Sequence, residues 1–126
     1  MTKRDAVKQA IAKAKQEAIV TCTTKTQCAK AFLLAKLFVA QKASMDIRYS
    51  GDDMVLTYEP EDGGMTGMAA QLIPDVGEAA TINLIAVCKH MDMMTLPGTY
   101  PYFDQCAERL ISAYTGFKPF IESRLH

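Results

Sequence analysis

The order of apolar and polar residues predicts two helices in the first part of the chain. Over residues 3–20, apolar side chains recur at the spacing of one helix face, namely at Val7, Ala10, Ile11, Ala14 and Ala18. A second helix is predicted from about Thr26 to residue 43, after a threonine-rich interruption at residues 21–26. Its apolar residues occupy almost every direction around the axis. This pattern predicts the central helix of the core or part of a subunit interface.

A change to a period of two predicts a β-hairpin over about residues 45–58. In the sequence MDIRY apolar residues alternate with charged ones, residues 54–58 repeat the pattern, and SGDD supplies a turn between them. A weaker third strand is predicted over residues 65–73. The hairpin is therefore expected to start a small antiparallel sheet.

The last third of the chain predicts further helices. Residues 78–94 fit either a helix or a buried strand, because a long apolar run has no decisive period, and the length of this one favours a helix. Downstream, Pro101 fits the first turn of a helix and Gly116 the position just after its end. Pro119 then opens a short final turn.

Together these elements predict one α+β domain over residues 1–126. It has two N-terminal helices, a small antiparallel sheet built on the hairpin at about 45–58, and C-terminal helices packed on one face. The length of 126 residues and the apolar fraction of 49% are those of an ordinary single domain. No apolar run is long enough to cross a bilayer, and the basic start lacks the apolar centre of a signal peptide. A cytoplasmic protein without membrane contact is expected.

The four cysteines are expected to be reduced thiols, since a core of this size needs no covalent staples and no secretory signal accompanies them. They are Cys22, Cys28, Cys88 and Cys106. None of them forms the close C-x2-C pair typical of zinc sites. The eight methionines are spread along the chain like core residues rather than gathered like copper ligands. No metal or other cofactor is expected.

The formal net charge of zero hides a strong split between the two parts of the chain. Residues 1–48 carry ten basic and three acidic residues, a net charge of +7, and the remainder carries −7. Such asymmetry marks a surface for a polyanion such as nucleic acid, or it pairs one part with the other within or between subunits. Pairing is favoured, because nucleic-acid binders usually have a net positive domain. It predicts a homo-oligomer.

Three residues of the types found in thiol-dependent catalytic sites occur close together in the sequence. Cys88, His90 and Asp92 are the residue types of a thiol nucleophile, its base and an orienting acid. Alternate residues share a face only on a strand, whereas a helix would point Cys88 and His90 about 200° apart. Because a helix is favoured here, the trio is a weak candidate for a catalytic site.

Two features are candidates for binding. Arg4, Lys8 and Lys15 form a basic row along the first helix, suited to phosphates or to an acidic protein surface. Tyr100 and Tyr102 stand in a proline-bounded loop, where tyrosine supplies contact area at little entropic cost.

These observations favour a small non-catalytic binding, regulatory or inhibitory protein that acts through protein–protein or polyanion contacts. A protein partner is expected. One alternative is a nucleic-acid-binding accessory protein that uses the basic N-terminal helices. A second is a small thiol-dependent enzyme centred on Cys88, His90 and Asp92, so enzymatic activity stays open with a non-enzyme favoured.

Overall fold

The computed structural model describes residues 3–62, 64–89 and 103–125, and it confirms the α+β class. Within these ranges the chain forms three helices and one five-stranded antiparallel sheet with the strand order β1-β5-β4-β3-β2. The elements are α1 (Lys3–Glu17), β1 (Val20–Cys22), α2 (Lys25–Lys42), β2 (Ile47–Ser50), β3 (Met54–Thr57), β4 (Thr66–Pro74), β5 (Ala80–Cys88) and α3 (Phe103–Arg124). The two predicted N-terminal helices are present as α1 and α2, although β1 separates them.

Strands β4 and β5 form the spine of the sheet. They pair along their whole length, from Thr66 opposite Cys88 to Pro74 opposite Ala80. The predicted hairpin is present as β2 and β3, and β3 continues the sheet onto β4. On the other side, β1 pairs with β5 only from Ala80 to Ile82. Among the described residues, no strand therefore pairs with the second half of β5 along that edge.

The core lies between one face of the sheet and the helices. Along β5 every second residue is buried, which places Ile82, Leu84 and Ala86 against α2 and α3. The helix α1 packs on α3 through Ala14 and Ala18, as its narrow apolar stripe requires. On the opposite face, a row of side chains across the strands stays partly or largely exposed. This row comprises Ile85, Ala69, Leu56 and Tyr49.

The helix predicted over residues 78–94 is wrong, because residues 80–88 form strand β5. Four of its nine residues are β-branched, and their stiff side chains pack well on a pleated surface. They are Thr81, Ile82, Ile85 and Val87. The predicted break at residues 21–26 is also wrong in part, since residues 20–22 pair with β5 as strand β1. Residues 90–94 lie outside the described part of the chain.

The prediction of two or three C-terminal helices is wrong for the described residues, where α3 is one helix that continues through Gly116 and Pro119. Glycine costs a helix about 1 kcal/mol and proline about 3 kcal/mol. Packing outweighs these costs. Phe117 and Ile121 are fully buried, and the ring of Phe38 meets the ring of Phe117 edge-on at 5.2 Å. Burying large apolar side chains stabilises by about 1.5–3 kcal/mol each.

Candidate functional site

The cysteines are paired, so the expectation of reduced thiols is wrong. Disulfide bonds join Cys22 to Cys28 and Cys88 to Cys106, with Cα–Cα distances of 5.2 and 6.1 Å. The first fastens β1 to the first turns of α2, and the second fastens the end of β5 to α3. Folding brings the Cα atoms within the span of a disulfide, and spacing along the chain does not reveal this.

This pairing bears directly on the catalytic candidate. Cys88 is buried on the inner face of β5, and as part of a cystine it has no thiolate to act as a nucleophile. His90 and Asp92 lie outside the described residues. In the ranges that the structure describes, no group of three or more His, Cys, Asp or Glu side chains is placed to hold a metal ion. Likewise, no helix there is long and apolar enough to cross a membrane.

The predicted binding residues fall in different parts of the molecule. Lys8 is half-buried and Lys15 exposed, and both flank the face by which α1 packs on α3. Arg4 lies in the first turn of α1, and its side chain is outside the described set. Tyr100 and Tyr102 also lie outside the described residues.

The most exposed apolar surface on a described helix lies on α2. Leu33 is 65% exposed and Leu37 is 43% exposed, and Ala40 follows them on the same side at helical spacing. We call these three residues the α2 ridge. The other side of α2 is buried against the sheet and α3 through Phe32, Ala35 and Phe38. The ridge is therefore a second apolar face on a helix whose first face already builds the core.

A cleft of about 690 Å³ adjoins the ridge. Its apolar walls come from α2 and from the two strands that form the spine of the sheet. They include Ala29, Phe32, Leu33, Leu72, Pro74 and Ala80. This volume lies within the range of small-ligand and side-chain pockets.

The N-terminus of α2, which forms one end of the cleft, is held from several directions. Thr24 caps the helix by accepting a hydrogen bond from the N–H of Gln27, and the backbone N–H of Lys25 donates a 2.9 Å bond to the carboxylate of Glu78. The Cys22–Cys28 disulfide adds a covalent tie. The end of the cleft formed by α2 is consequently held in place by a helix cap, a hydrogen bond and a disulfide.

The charge around the ridge is positive. The helix carries four lysines and no carboxylate. Lys30 and Lys36 flank the ridge on its two sides, and the ammonium of Lys36 lies 5.3 Å from the centre of the Phe32 ring. Asp52 and Glu78 stand at the border of the cleft. A segment lying along the ridge itself thus meets leucine side chains between lysines.

The sequence shows that α2 is unusually apolar, but it does not predict that the ridge is exposed. A helix with apolar residues in every direction has more apolar surface than one core needs. That excess is the feature of the sequence that could have indicated an exposed apolar face. Which side faces solvent depends on where the sheet and α3 dock, and the local pattern does not contain this information.

Comparisons of the chain with protein-family models, with curated proteins and with solved structures find no match. The fold and the surface define its class in general terms: a two-layer α+β protein whose second helix presents an exposed apolar ridge beside a cleft.

Proposed function

We propose that this protein is a non-catalytic binding or regulatory protein that docks an acidic segment with apolar side chains, belonging to a protein partner, along the α2 ridge. The observation that carries the proposal is the exposure of Leu33 and Leu37 beside the adjoining cleft. Isolated apolar residues are common on protein surfaces, whereas a row of them next to a concave apolar cleft is typical of recognition sites.

Burial of the ridge leucines would supply most of the binding free energy. Covering a leucine side chain is worth roughly 1.5–3 kcal/mol, and two leucines with the cleft beside them form a compact apolar centre. Lysines surround that centre, as the polar rim surrounds the core of many protein interfaces. A helical partner segment in a groove is one recurring form of such recognition.

The positive charge of α2 indicates that the partner segment is acidic. Because α2 carries four lysines and no acid, a segment with carboxylates outside its apolar residues gains electrostatic complementarity and faster association. Binding is expected to weaken with salt, since the Debye length falls to about 3 Å at 1 M.

Several features expected from the sequence remain predictions within this proposal. Arg4, Lys8 and Lys15, and also Tyr100 and Tyr102, remain predicted binding residues. A homo-oligomer and a nucleic-acid-binding role also remain predictions, as alternatives to a protein partner on the ridge, and a cytoplasmic location is a separate prediction from the sequence. The two cystines are typical of proteins from oxidising compartments, so they favour a location other than the cytoplasm.

Site-specific photo-crosslinking tests the proposal in the cells that make the protein. Benzoylphenylalanine is placed at Leu33 or Leu37, and at the exposed α3 residue Glu122 as a matched control. We expect one protein of another kind to be captured from the two ridge positions and not from position 122. That adduct should be lost in the Lys30→Gln/Lys36→Gln variant.

Other results would contradict the proposal. Equal capture from position 122 would mean non-specific contact, and adducts with only a second copy would assign the ridge to self-assembly. Capture that disappears on nuclease treatment would favour the nucleic-acid alternative. No adduct at either ridge position would leave the ridge without a partner and reject the proposal.

A further inference from the structure

A second groove lies on the side of α2 away from the ridge. It has a volume of about 660 Å³ and is bordered by the end of α2, the length of α3 and the start of β4. Its apolar lining residues are Phe38, Met68, Ala113, Pro119 and Phe120, of which Phe38 and Met68 are almost fully buried. Hydroxyl groups of Thr66, Ser112 and Ser123 lie along its sides. Unlike the cleft beside the ridge, it combines aromatic rings with many polar groups.

Positive charge dominates this groove. Lys42, Arg109 and Arg124 border it, against the single carboxylate of Glu108. In the described part of the chain, neither Lys42 nor Arg109 is within ion-pair distance of a carboxylate. Their charges are therefore available to an anion that enters the groove.

One of these cations is held in position by the fold. Arg109 donates a 3.3 Å hydrogen bond from Nη1 to Oγ of Ser44. Ser44 is in turn fixed to the start of β4, because its N–H donates to the Thr66 carbonyl at 2.9 Å and its Oγ accepts from the Thr66 N–H at 3.1 Å. A guanidinium steadied through one nitrogen keeps its other donors for a ligand.

Arg124, the cation at the other end of the groove, already contacts groups of its own helix. Arg124 lies 15 residues beyond Arg109, about 22 Å along the axis of an α-helix. Its guanidinium stacks 3.9 Å from the centre of the Phe120 ring and donates to the Phe120 carbonyl at 3.0 Å. It closes the end of its own helix and covers one aromatic wall of the groove. The anion-binding end is therefore the one formed by Arg109 and Lys42.

We infer that this groove binds a small organic anion, with its carboxylate or sulfonate against Arg109 and Lys42 and its apolar body against the exposed Pro119 and the half-buried Phe120. Charge-assisted and forked hydrogen bonds to guanidinium fix the acidic group, and the apolar side chains of the groove contact the rest of the ligand. The volume suits a molecule of two or three rings or a medium-length acyl chain. This site uses a different face of α2 from the ridge and does not depend on the function proposed for the ridge.

Fluorescent probes test the inference directly. The anionic probe is 8-anilinonaphthalene-1-sulfonate, and the uncharged control is N-phenyl-1-naphthylamine, which has the same ring system without the sulfonate. We expect saturable binding of the anionic probe to the native protein and at least tenfold weaker binding of the neutral one. Displacement by decanoate rather than by 1-naphthoate would indicate an acyl ligand, and the reverse order an aromatic one.

Neighbouring residues of α3 provide matched variants with opposite expected effects. Arg109→Gln should weaken binding of the anionic probe about tenfold or more, because it removes a charged hydrogen-bond donor. Glu108→Gln should strengthen it, because Glu108 is the one carboxylate among the described residues that border the groove. Ser112→Phe should block the groove without changing its charge. Lys30→Gln, on the other side of α2, should leave binding unchanged.

Equal affinity for the neutral and anionic probes would overturn the inference. So would a lack of effect of Arg109→Gln or Ser112→Phe, or no saturable binding at all. Loss of binding in Leu33→Gln with retention in Ser112→Phe would assign the probe to the ridge cleft and reject this site. The replaced residues are exposed, so circular dichroism that matches the parent protein is expected to confirm that each variant folds.

Discussion

The phenol of Tyr114 in α3 pairs with both backbone groups of Ala86 in β5. The tyrosine oxygen accepts a 2.9 Å hydrogen bond from the Ala86 N–H and donates one of 3.3 Å to the Ala86 carbonyl. β1 stops pairing with β5 at Ile82, so within the described ranges no strand pairs with this edge of Ala86. A single side chain thus forms the hydrogen bonds that a longer β1 would form and joins the helical layer to this edge of β5.

Removing this hydroxyl should destabilise the fold. Tyr114→Phe leaves the N–H and the carbonyl of Ala86 buried without partners, which is expected to lower the free energy of unfolding by about 1–3 kcal/mol. Urea unfolding followed by circular dichroism measures the change. Tyr58→Phe, at an exposed tyrosine, is the control and should have little effect. A loss no larger than that of the control would show that the two bonds contribute nothing net.

The same residue predicts how stability depends on pH. Burial raises the pKa of Tyr114 above its ordinary value of 10.0, and the hydrogen bond to Ala86 offsets part of that rise. Above about pH 10 the unfolded chain therefore releases a proton that the folded protein retains. The contribution is complete below that pH and is lost as pH rises through the folded-state pKa. Unfolding free energies from pH 8 to 11 should fall more steeply for the parent than for Tyr114→Phe, and parallel curves would argue against this.

The two disulfides should contribute unequally to stability. They close loops with sequence separations of 18 for Cys88–Cys106 and 6 for Cys22–Cys28. The loss of chain entropy in the unfolded state predicts about 3 kcal/mol for the longer loop and about 2 kcal/mol for the shorter one. Urea unfolding of Cys88→Ala/Cys106→Ala and Cys22→Ala/Cys28→Ala tests the order. The reverse order would show that local packing at the shorter loop outweighs loop length.

Thiol labelling tests the status of Cys88. Because all four cysteines are paired, iodoacetamide should add no mass to the native, unreduced protein and four adducts after reduction and unfolding. Mass spectrometry of intact protein and peptides reads out both results. Rapid labelling of Cys88 without reductant would contradict the cystine and restore the thiol-dependent enzyme hypothesis.

Two glycines should respond to alanine with opposite signs. Gly77 in the β4–β5 turn has φ of 67°, a region that alanine enters only at a cost of about 1–2 kcal/mol, so Gly77→Ala should destabilise. Gly116 lies within α3, and an added Cβ would meet Cε2 of Phe38 at an ordinary contact distance of 3.8 Å. Gly116→Ala should therefore stabilise by about 0.5–1 kcal/mol. If it destabilised instead, Gly116 would mark a helix end, as the sequence pattern suggested.

Local periodicity correctly predicted the elements whose secondary structure does not depend on contacts with distant parts of the chain. The helices α1 and α2 and the β2–β3 hairpin follow from repeats of 3.6 and two residues. The strand β5 did not, because a strand shielded by neighbours and a buried helix have similar apolar runs. Continuity of α3 through Pro119 depends on Phe38, more than 80 positions earlier, and such distant contacts leave no local signal.

The candidate sites were harder to predict than the fold. The Cys88–Cys106 bond requires the end of β5 and the start of α3 to meet, which only the assembled layers bring about. The anion groove combines Lys42 with Arg109 and Arg124 from a distant helix. In the sequence these residues belong to regions of opposite net charge, so their common surface was hidden by the overall charge split.

The short strand β1 also has a consequence for biosynthesis. As the polypeptide leaves the ribosome, β4 and β5 emerge well before residues 103–124, yet the edge of β5 at Ala86 is completed by Tyr114 of that later segment. Until then the apolar inner face of the sheet and the ring of Phe38 lack their α3 partners. During synthesis α3 therefore docks only after β4 and β5 have emerged, and a nascent chain stalled before that point exposes this apolar face to chaperones and proteases.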